Sequence, residues 1–266
     1  MIDHRLEQNI NQTIGIDYEI ILINNSHNEY SIFSAYNLGI KKAKGDILCF
    51  MHEDILFHTN NWGEIVSSIL EDSSIGMLGV FGSKLLVSNV SWWLSGYGVG
   101  EYIQGLNNKT GYCFKKEGCE IDEVCEDVAL VDGFWFCMPR CCFDQIRFDD
   151  LFYSGFHCYD LDISMQTHNI GKRVVVTTRI LIEHQSMGAL NSVYYSQLEL
   201  FSQKWRTSLP LFVGEQTGNI DFERFSHLLT KYHESEKKSN LLLQSHAFRI
   251  GSIIMRPIKF IKSLIK

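Results

Sequence analysis

Three features of this 266-residue sequence predict an α/β domain with a largely parallel sheet flanked by helices. Short apolar runs alternate with segments of helical periodicity. The helical segments carry start and stop signals where their periodicity begins and ends. Hydrophobic residues make up 45% of the chain and charged residues 21%, with only 3 prolines, which fits one continuous globular core. Right-handed crossovers between parallel strands then place helices on both faces of the sheet.

In chain order, "HRLEQNINQTI" reads as a short helix and "DYEIILINN" as a buried strand ending in amides. "EYSIFSAYNLGIKKAKG" is a helix closed by Gly45, with lysines in its last turn where the helix dipole favours cations. "DILCFM" is the next strand. "NNWGEIVSSILED" begins with an Asn cap and sets Trp62, Ile65, Ile69 and Leu70 at helical spacing. "IGMLGVFG" is another strand. From about Ser91 the rhythm changes: loops and a hairpin lead to two strands in "DEVCEDVALVDGFWFCMPR", with a turn near Val131–Gly133. "YDLDISMQTHNIG" is a helix with Gly171 at its end, "KRVVVTTRILIEH" a strand ending in Glu183 and His184, and "NSVYYSQLELFSQKW" a helix. Residues 1–220 form the main domain and 221–266 a helical tail.

A net charge of -7 excludes a general affinity for nucleic acid. The stretch from Leu241 to Lys266 departs from that average, with five Lys/Arg and no acid. Its isoleucines between basic residues read as a basic amphipathic, membrane-surface segment or as a helix packed on the domain, with a kink or restart at Pro257. The polar start "MIDHRLEQNI" is unlike a signal peptide, so the 8 cysteines are expected as free thiols in a reducing cytoplasm. They form no CxxC pair, which argues against structural zinc.

Two strands end in a histidine, "DILCFM" at His52 and "RILIE" at His184. Ligands of open α/β sheets collect beyond the carboxyl ends of strands. In "HED", His52 offers nitrogen and Asp54 oxygen to a cation, and imidazole biases the choice from Mg²⁺ towards Mn²⁺. The plain alternative is that Glu53 or Asp54 caps a helix. Asp160 and Asp162 lie two apart on a helix, about 200° round its axis, so only one can face a given site.

The order of these segments resembles glycosyltransferase family 2, and within it a glycosyltransferase-like subgroup with a His-Glu-Asp variant of the Asp-x-Asp motif. The resemblance runs from Tyr18 to Trp205 through "YEIILINN", "AYNLGIKKAKGDILCFMHEDI", "NWGE", "VDGFWFCMPR", "FDDLFYSGFHCYDLDISMQ" and "ILIEHQSMG". It implies a GT-A (nucleotide-diphospho-sugar transferase) fold with a mostly parallel mixed sheet. It also implies a strand ahead of the first helix, for which this sequence shows no counterpart. Residue by residue, it implies that Asn24 and Asn25 approach the nucleotide base, and that Asn37 and Gly39 line the donor pocket. His52, Glu53 and Asp54 occupy the diphosphate motif, and Gly133 and Phe134 the floor under the donor sugar. Asp160 corresponds to the catalytic base, while Asp54 and His184 hold a divalent metal, Mn or Mg.

The implied activity is inverting, metal-dependent transfer of a sugar from a nucleotide-diphosphate sugar to a hydroxyl of a glycan or lipid-linked acceptor in cell-surface polysaccharide synthesis. The implied location is the cytoplasm, peripheral on the inner face of the membrane. A catalytically weak or inactive nucleotide-sugar-binding subunit is the alternative, because His52 replaces an acid and the leading strand has no counterpart.

Overall fold

The computed structural model describes residues 4–105, 112–113, 125–186, 191–214 and 222–244. Its helices are α1 (His4–Thr13), α2 (Ile32–Lys42), α3 (Trp62–Leu70), α4 (Tyr159–Asn169), α5 (Ser192–Lys204) and α6 (Phe222–Gln244). Its strands are β1 (Ile47–Met51), β2 (Ile55–Phe57), β3 (Ile75–Gly79), β4 (Phe81–Ser83), β5 (Leu85–Leu86), β6 (Gly98–Gly100) and β7 (Ile103–Gln104). They continue with β8 (Tyr112–Cys113), β9 (Glu126–Asp127), β10 (Leu130–Val131), β11 (Trp135–Pro139), β12 (Arg173–Val176), β13 (Ile182–His184) and β14 (Leu211–Phe212).

The fold is mixed α/β, built on a five-stranded sheet of order β1-β11-β3-β12-β9. Alternation along the strands divides its side chains between two cores. Leu48, Phe50, Phe136 and Val174 face one side with Phe33 of α2 and Ile163 of α4. Trp135, Cys137 and Val175 face the other with Leu6 of α1 and Val66 of α3. Helices therefore cover both faces.

Strand direction departs from expectation. Only the β3–β12 ladder of this sheet is parallel; β1–β11, β11–β3 and β12–β9 are antiparallel. The cause is β11, which inserts between β1 and β3 and runs against both. The stretch "DYEIILINN" is not a strand, and Tyr18, Ile20 and Leu22 are exposed along it rather than buried. The run "KRVVVTTRILIEH" splits into β12 and β13, which join different sheets.

Local interactions set the helix ends, and the lysines of α2 lie in its last turn as expected. Ser31 caps α2 by accepting from the Ser34 N–H, Lys41 and Lys42 fill its last turn, and Asn191 caps α5 through the N–H groups of Val193 and Tyr194. Two signals act otherwise: Asn61 starts α3 in the left-handed region at φ 57° without a side-chain cap, and α2 ends at Lys42 with Ala43 rather than Gly45 as its C-cap, in extended backbone. Cys49 and Cys137, opposite each other on β1 and β11, form a disulfide, whereas Cys125, Cys141, Cys142 and Cys158 are free. The thiol expectation therefore fails for that pair, because the register brings two sequence-distant cysteines face to face.

Helix α6 packs back on the domain through buried Leu229 and His233, whose Nδ1 accepts from the Ser91 N–H at 3.2 Å. The basic segment beyond Gln244 lies outside the described residues. Among the described residues no helix is long and apolar enough to cross a membrane.

Candidate active site

The "HED" segment caps no helix. It is the turn from β1 into β2, and β2 pairs antiparallel with β13 so that Ile55 stands opposite His184. This pairing delivers His184 to the end of β1. His52 Nδ1 lies 3.4 Å from His184 Nε2, and Asp54 Oδ1 lies 3.5 Å from the same nitrogen. The three residues can each present one ligand atom with all three within 4.8 Å of one another. Ligand atoms about 2.1 Å from one ion stand roughly 3.0–3.4 Å apart, close to the two separations made by His184 Nε2. Two imidazoles and one carboxylate suit Mn²⁺ or Zn²⁺ better than Mg²⁺.

Hydrogen bonding fixes which histidine nitrogen is available. The Tyr159 hydroxyl donates to the Gly133 carbonyl at 2.9 Å and lies 2.7 Å from His52 Nε2. With its only proton committed, that hydroxyl must accept from His52 Nε2–H, which leaves the Nδ1 lone pair facing His184. A second partner that sets tautomer and ring orientation is the usual support of a metal-ligating histidine. Burial, reinforced by His184 and opposed by Asp54, pushes the His52 imidazole down to about 4, so it is neutral at pH 7. The Asp54 carboxyl is held well below the usual carboxylate range by hydrogen bonds to His184 and Ser186, against burial. The face of Phe134 stacks on His184 at 4.9 Å between ring centroids.

Asp160 stands on the first turn of α4 and joins the cluster through Gly133, whose N–H donates to Asp160 Oδ2 at 3.1 Å. Burial, and then the neighbouring Asp132, pushes the Asp160 carboxyl up to about 7. Asp132 itself accepts from the Phe134 N–H at 3.2 Å, and burial raises its carboxyl too. Two adjacent half-buried carboxylates cannot both ionise cheaply, so one holds a proton near neutrality. A close fit constrains Gly133: a Cβ there would fall 2.3 Å from the Tyr159 hydroxyl.

His52, Asp54, Gly133, Phe134, Asp160 and His184 thus converge. Asn25 and Gly39 sit apart, on the wall of a groove of about 1000 Å³ that also reaches Glu53 and Asp54. Asn25 is occupied in a local turn, bonding both the N–H and the C=O of Tyr30. Exposed Asn24 accepts from the Ser26 N–H, and Asn37 is a brace, donating to the Phe148 carbonyl at 2.7 Å. Glu53 is exposed. Asp162 points away from Asp160, as the helical angle requires, and is fully buried between Lys204, Trp205 and Tyr153. Tyr159 and Asp132 were not anticipated, although each directly precedes an anticipated residue.

The family described as "Glycosyltransferase like family" matches residues 4–204. Streptomycin biosynthesis protein StrF of Streptomyces griseus is 31% identical over 165 residues, 60% of this chain and 55% of the relative. The chain therefore spans about half the length of that curated relative. Among solved structures, GalNAc-T7 with UDP, GalNAc and Mn²⁺ is similar at a TM-score of 0.42 and 13% identity, over 59% of this chain and 30% of the other. The inositol-1-phosphate CTP transferase from T. maritima is similar at 0.33 and 15%, over 74% and 71%. Given the family match across residues 4–204, from α1 to the end of α5, this chain belongs to the glycosyltransferase-like family.

Proposed function

We propose that this protein transfers a sugar from a nucleotide-diphosphate sugar to an acceptor hydroxyl with inversion. The observation that carries the reading is the placement of one high-pKa carboxylate, Asp160, beside a His52–Asp54–His184 cation cluster, with Gly133 linking the two. Asp160 takes the acceptor hydroxyl's proton as that oxygen attacks the anomeric carbon. The bond from that carbon to the diphosphate oxygen breaks, and the nucleoside diphosphate leaves with the electron pair. A divalent cation held by His52, Asp54 and His184 would neutralise charge on the leaving diphosphate. Phe134, stacked on His184, forms an apolar wall that limits water at the sugar.

The acceptor class we infer is a glycan or lipid-linked glycan of the cell surface. It rests on the basic stretch from Leu241, which suits an anionic membrane surface. Recovery with anionic liposomes no greater for the full chain than for a chain ending at Ser239 would refute that membrane reading. A second reading, a nucleotide-sugar-binding subunit with little turnover, is favoured by the open groove that runs up to Asp54.

A screen of nucleotide sugars with and without Mn²⁺ separates these readings. Metal-stimulated release of nucleoside diphosphate supports transfer. Binding of a nucleotide sugar without turnover, with any acceptor, supports the subunit.

A further inference from the structure

Trp92 and Trp93 stand on a short 3₁₀ helix, Trp92–Ser95, between β5 and β6. Trp92 is buried in the core, whereas Trp93 is 41% exposed, although a ring of that size gains much by being covered. The two rings meet edge to face at 5.6 Å between centroids, so the buried one holds the exposed one in place.

Ring contacts tie this pair to both halves of the site. From Phe134 they run to Tyr102 at 5.2 Å, to Phe81 at 5.0 Å and to Trp92 at 5.7 Å. From Trp93 they continue to Tyr194 of α5 at 5.7 Å and on to His157 at 5.4 Å. The arc therefore starts at the ring stacked on His184 and ends three residues ahead of Asp160. Tyr194 is anchored by its hydroxyl, which donates to Ser91 Oγ at 2.9 Å. Burial above all, with a smaller part from the nearby Asp160 charge, pushes that phenol well above its usual range. Among the described residues, neither Trp93 nor Tyr194 bonds to or stacks on His52, Asp54 or His184. This end of the arc thus belongs to Asp160 and not to the cation cluster.

Charge narrows what could lie there. Trp93 and Tyr194 carry none, and burial depresses the His157 imidazole, which leaves it neutral at pH 7. The ionisable groups they adjoin, Asp160 and its neighbour Asp132, are acids. A phosphate or a uronate would meet repulsion there without a compensating cation. A neutral pyranose instead offers a face of C–H groups to the electron-rich face of an indole, and hydroxyls to a carboxylate.

We propose that Trp93 is the stacking platform for the acceptor. A neutral pyranose ring lies on its exposed face, with the hydroxyl to be glycosylated turned towards Asp160. An inverting displacement needs that hydroxyl opposite the departing diphosphate, and the diphosphate belongs with the cation cluster. Calling this sugar the acceptor rests on the transfer reading above; the saccharide site itself does not.

The test is saturation-transfer NMR on the full chain with the methyl glycosides of glucose, galactose, mannose and N-acetylglucosamine. Glucose 6-phosphate, methyl glucuronide and farnesyl phosphate are run beside them. At least one neutral glycoside should bind saturably, with the strongest transfer to the C–H protons of one ring face. Trp93→Ala should weaken it at least about tenfold, and Trp93→Phe, which keeps a ring, by less. Mn²⁺ titration and urea unfolding check that both variants keep the cation cluster and the fold. In transfer to that glycoside, Trp93→Ala should raise the acceptor KM and leave the nucleotide-sugar KM as it was. An unchanged acceptor KM would overturn the proposal and leave sugar transfer standing. Equal binding by the native chain and Trp93→Ala, binding of the charged probes alone, or no neutral glycoside bound would each overturn it as well. Trp93-dependent binding without turnover of any nucleotide sugar would uphold the saccharide site and remove the transfer reading instead.

Discussion

Asp160→Asn separates the chemistry of this site from its architecture. Asparagine keeps an oxygen to accept the Gly133 N–H, at 3.1 Å in the native site, and nearly the same volume, so the fold around Tyr159 is retained. It cannot take a proton. A positioned general base contributes about 10²–10⁴ in rate, so kcat should fall by about 2.7–5.4 kcal/mol of barrier, with little change in nucleotide-sugar KM. On the proposed mechanism the native protein needs the ionised carboxylate, held at about 7, so its rate should rise with pH to a plateau above 8. At pH 6 about a tenth of the plateau rate remains if one ionisation governs the limb. Stability runs the opposite way. An acid whose pKa in the folded state lies above its unfolded value destabilises the fold progressively as pH rises from the ordinary value towards 7. From 3.8 to about 7 the ceiling is roughly 4 kcal/mol at 1.36 kcal/mol per tenfold, so Asp160→Asn should gain stability at pH 8 and little at pH 4. Steady-state kinetics from pH 5.5 to 9 and urea unfolding at pH 4 and 8 measure both. A variant with near-native kcat, or one whose stability change is the same at both pH values, would refute this reasoning.

Tyr159→Phe removes the acceptor for His52 Nε2–H, freeing the ring to turn, and should weaken Mn²⁺ binding about 10–100-fold by titration calorimetry. Asp54→Ala removes the cluster's only carboxylate and should lower Mn²⁺ affinity at least as much; affinity unchanged in both variants would remove the cation site. Asp162→Ala leaves Lys204, bonded to it at 2.8 Å, with Asp149 alone and strands the Trp205 indole N–H. It should cost about 3–5 kcal/mol in urea unfolding without shifting the pH limb assigned to Asp160. The Cys49–Cys137 bridge spans 88 residues, so its reduction should cost up to about 4.6 kcal/mol. Alkylation without reductant followed by peptide mapping should leave these two cysteines unmodified and linked.

Sequence alone determined the local structure wherever local physics decides it. Helices α2, α3 and α5 follow from apolar spacing, and the last turn of α2 from Lys41 and Lys42, because these interactions act within one or two turns. "HED" and His184 stand out in the sequence because strand ends are where such a sheet presents ligands, and the fold brings both to Asp160. Tertiary structure decided which partners meet. Strand direction around β11, the Cys49–Cys137 contact and the split of β12 from β13 depend on pairing between distant segments, which periodicity does not encode. The same holds for Tyr159 and Asp132: their roles arise from where Gly133 lies, not from their neighbours in sequence. "DYEIILINN" marks the limit most clearly. Its composition is that of a strand, but a strand exists only through hydrogen bonds to another, and among the described residues nothing stands beside it to supply them.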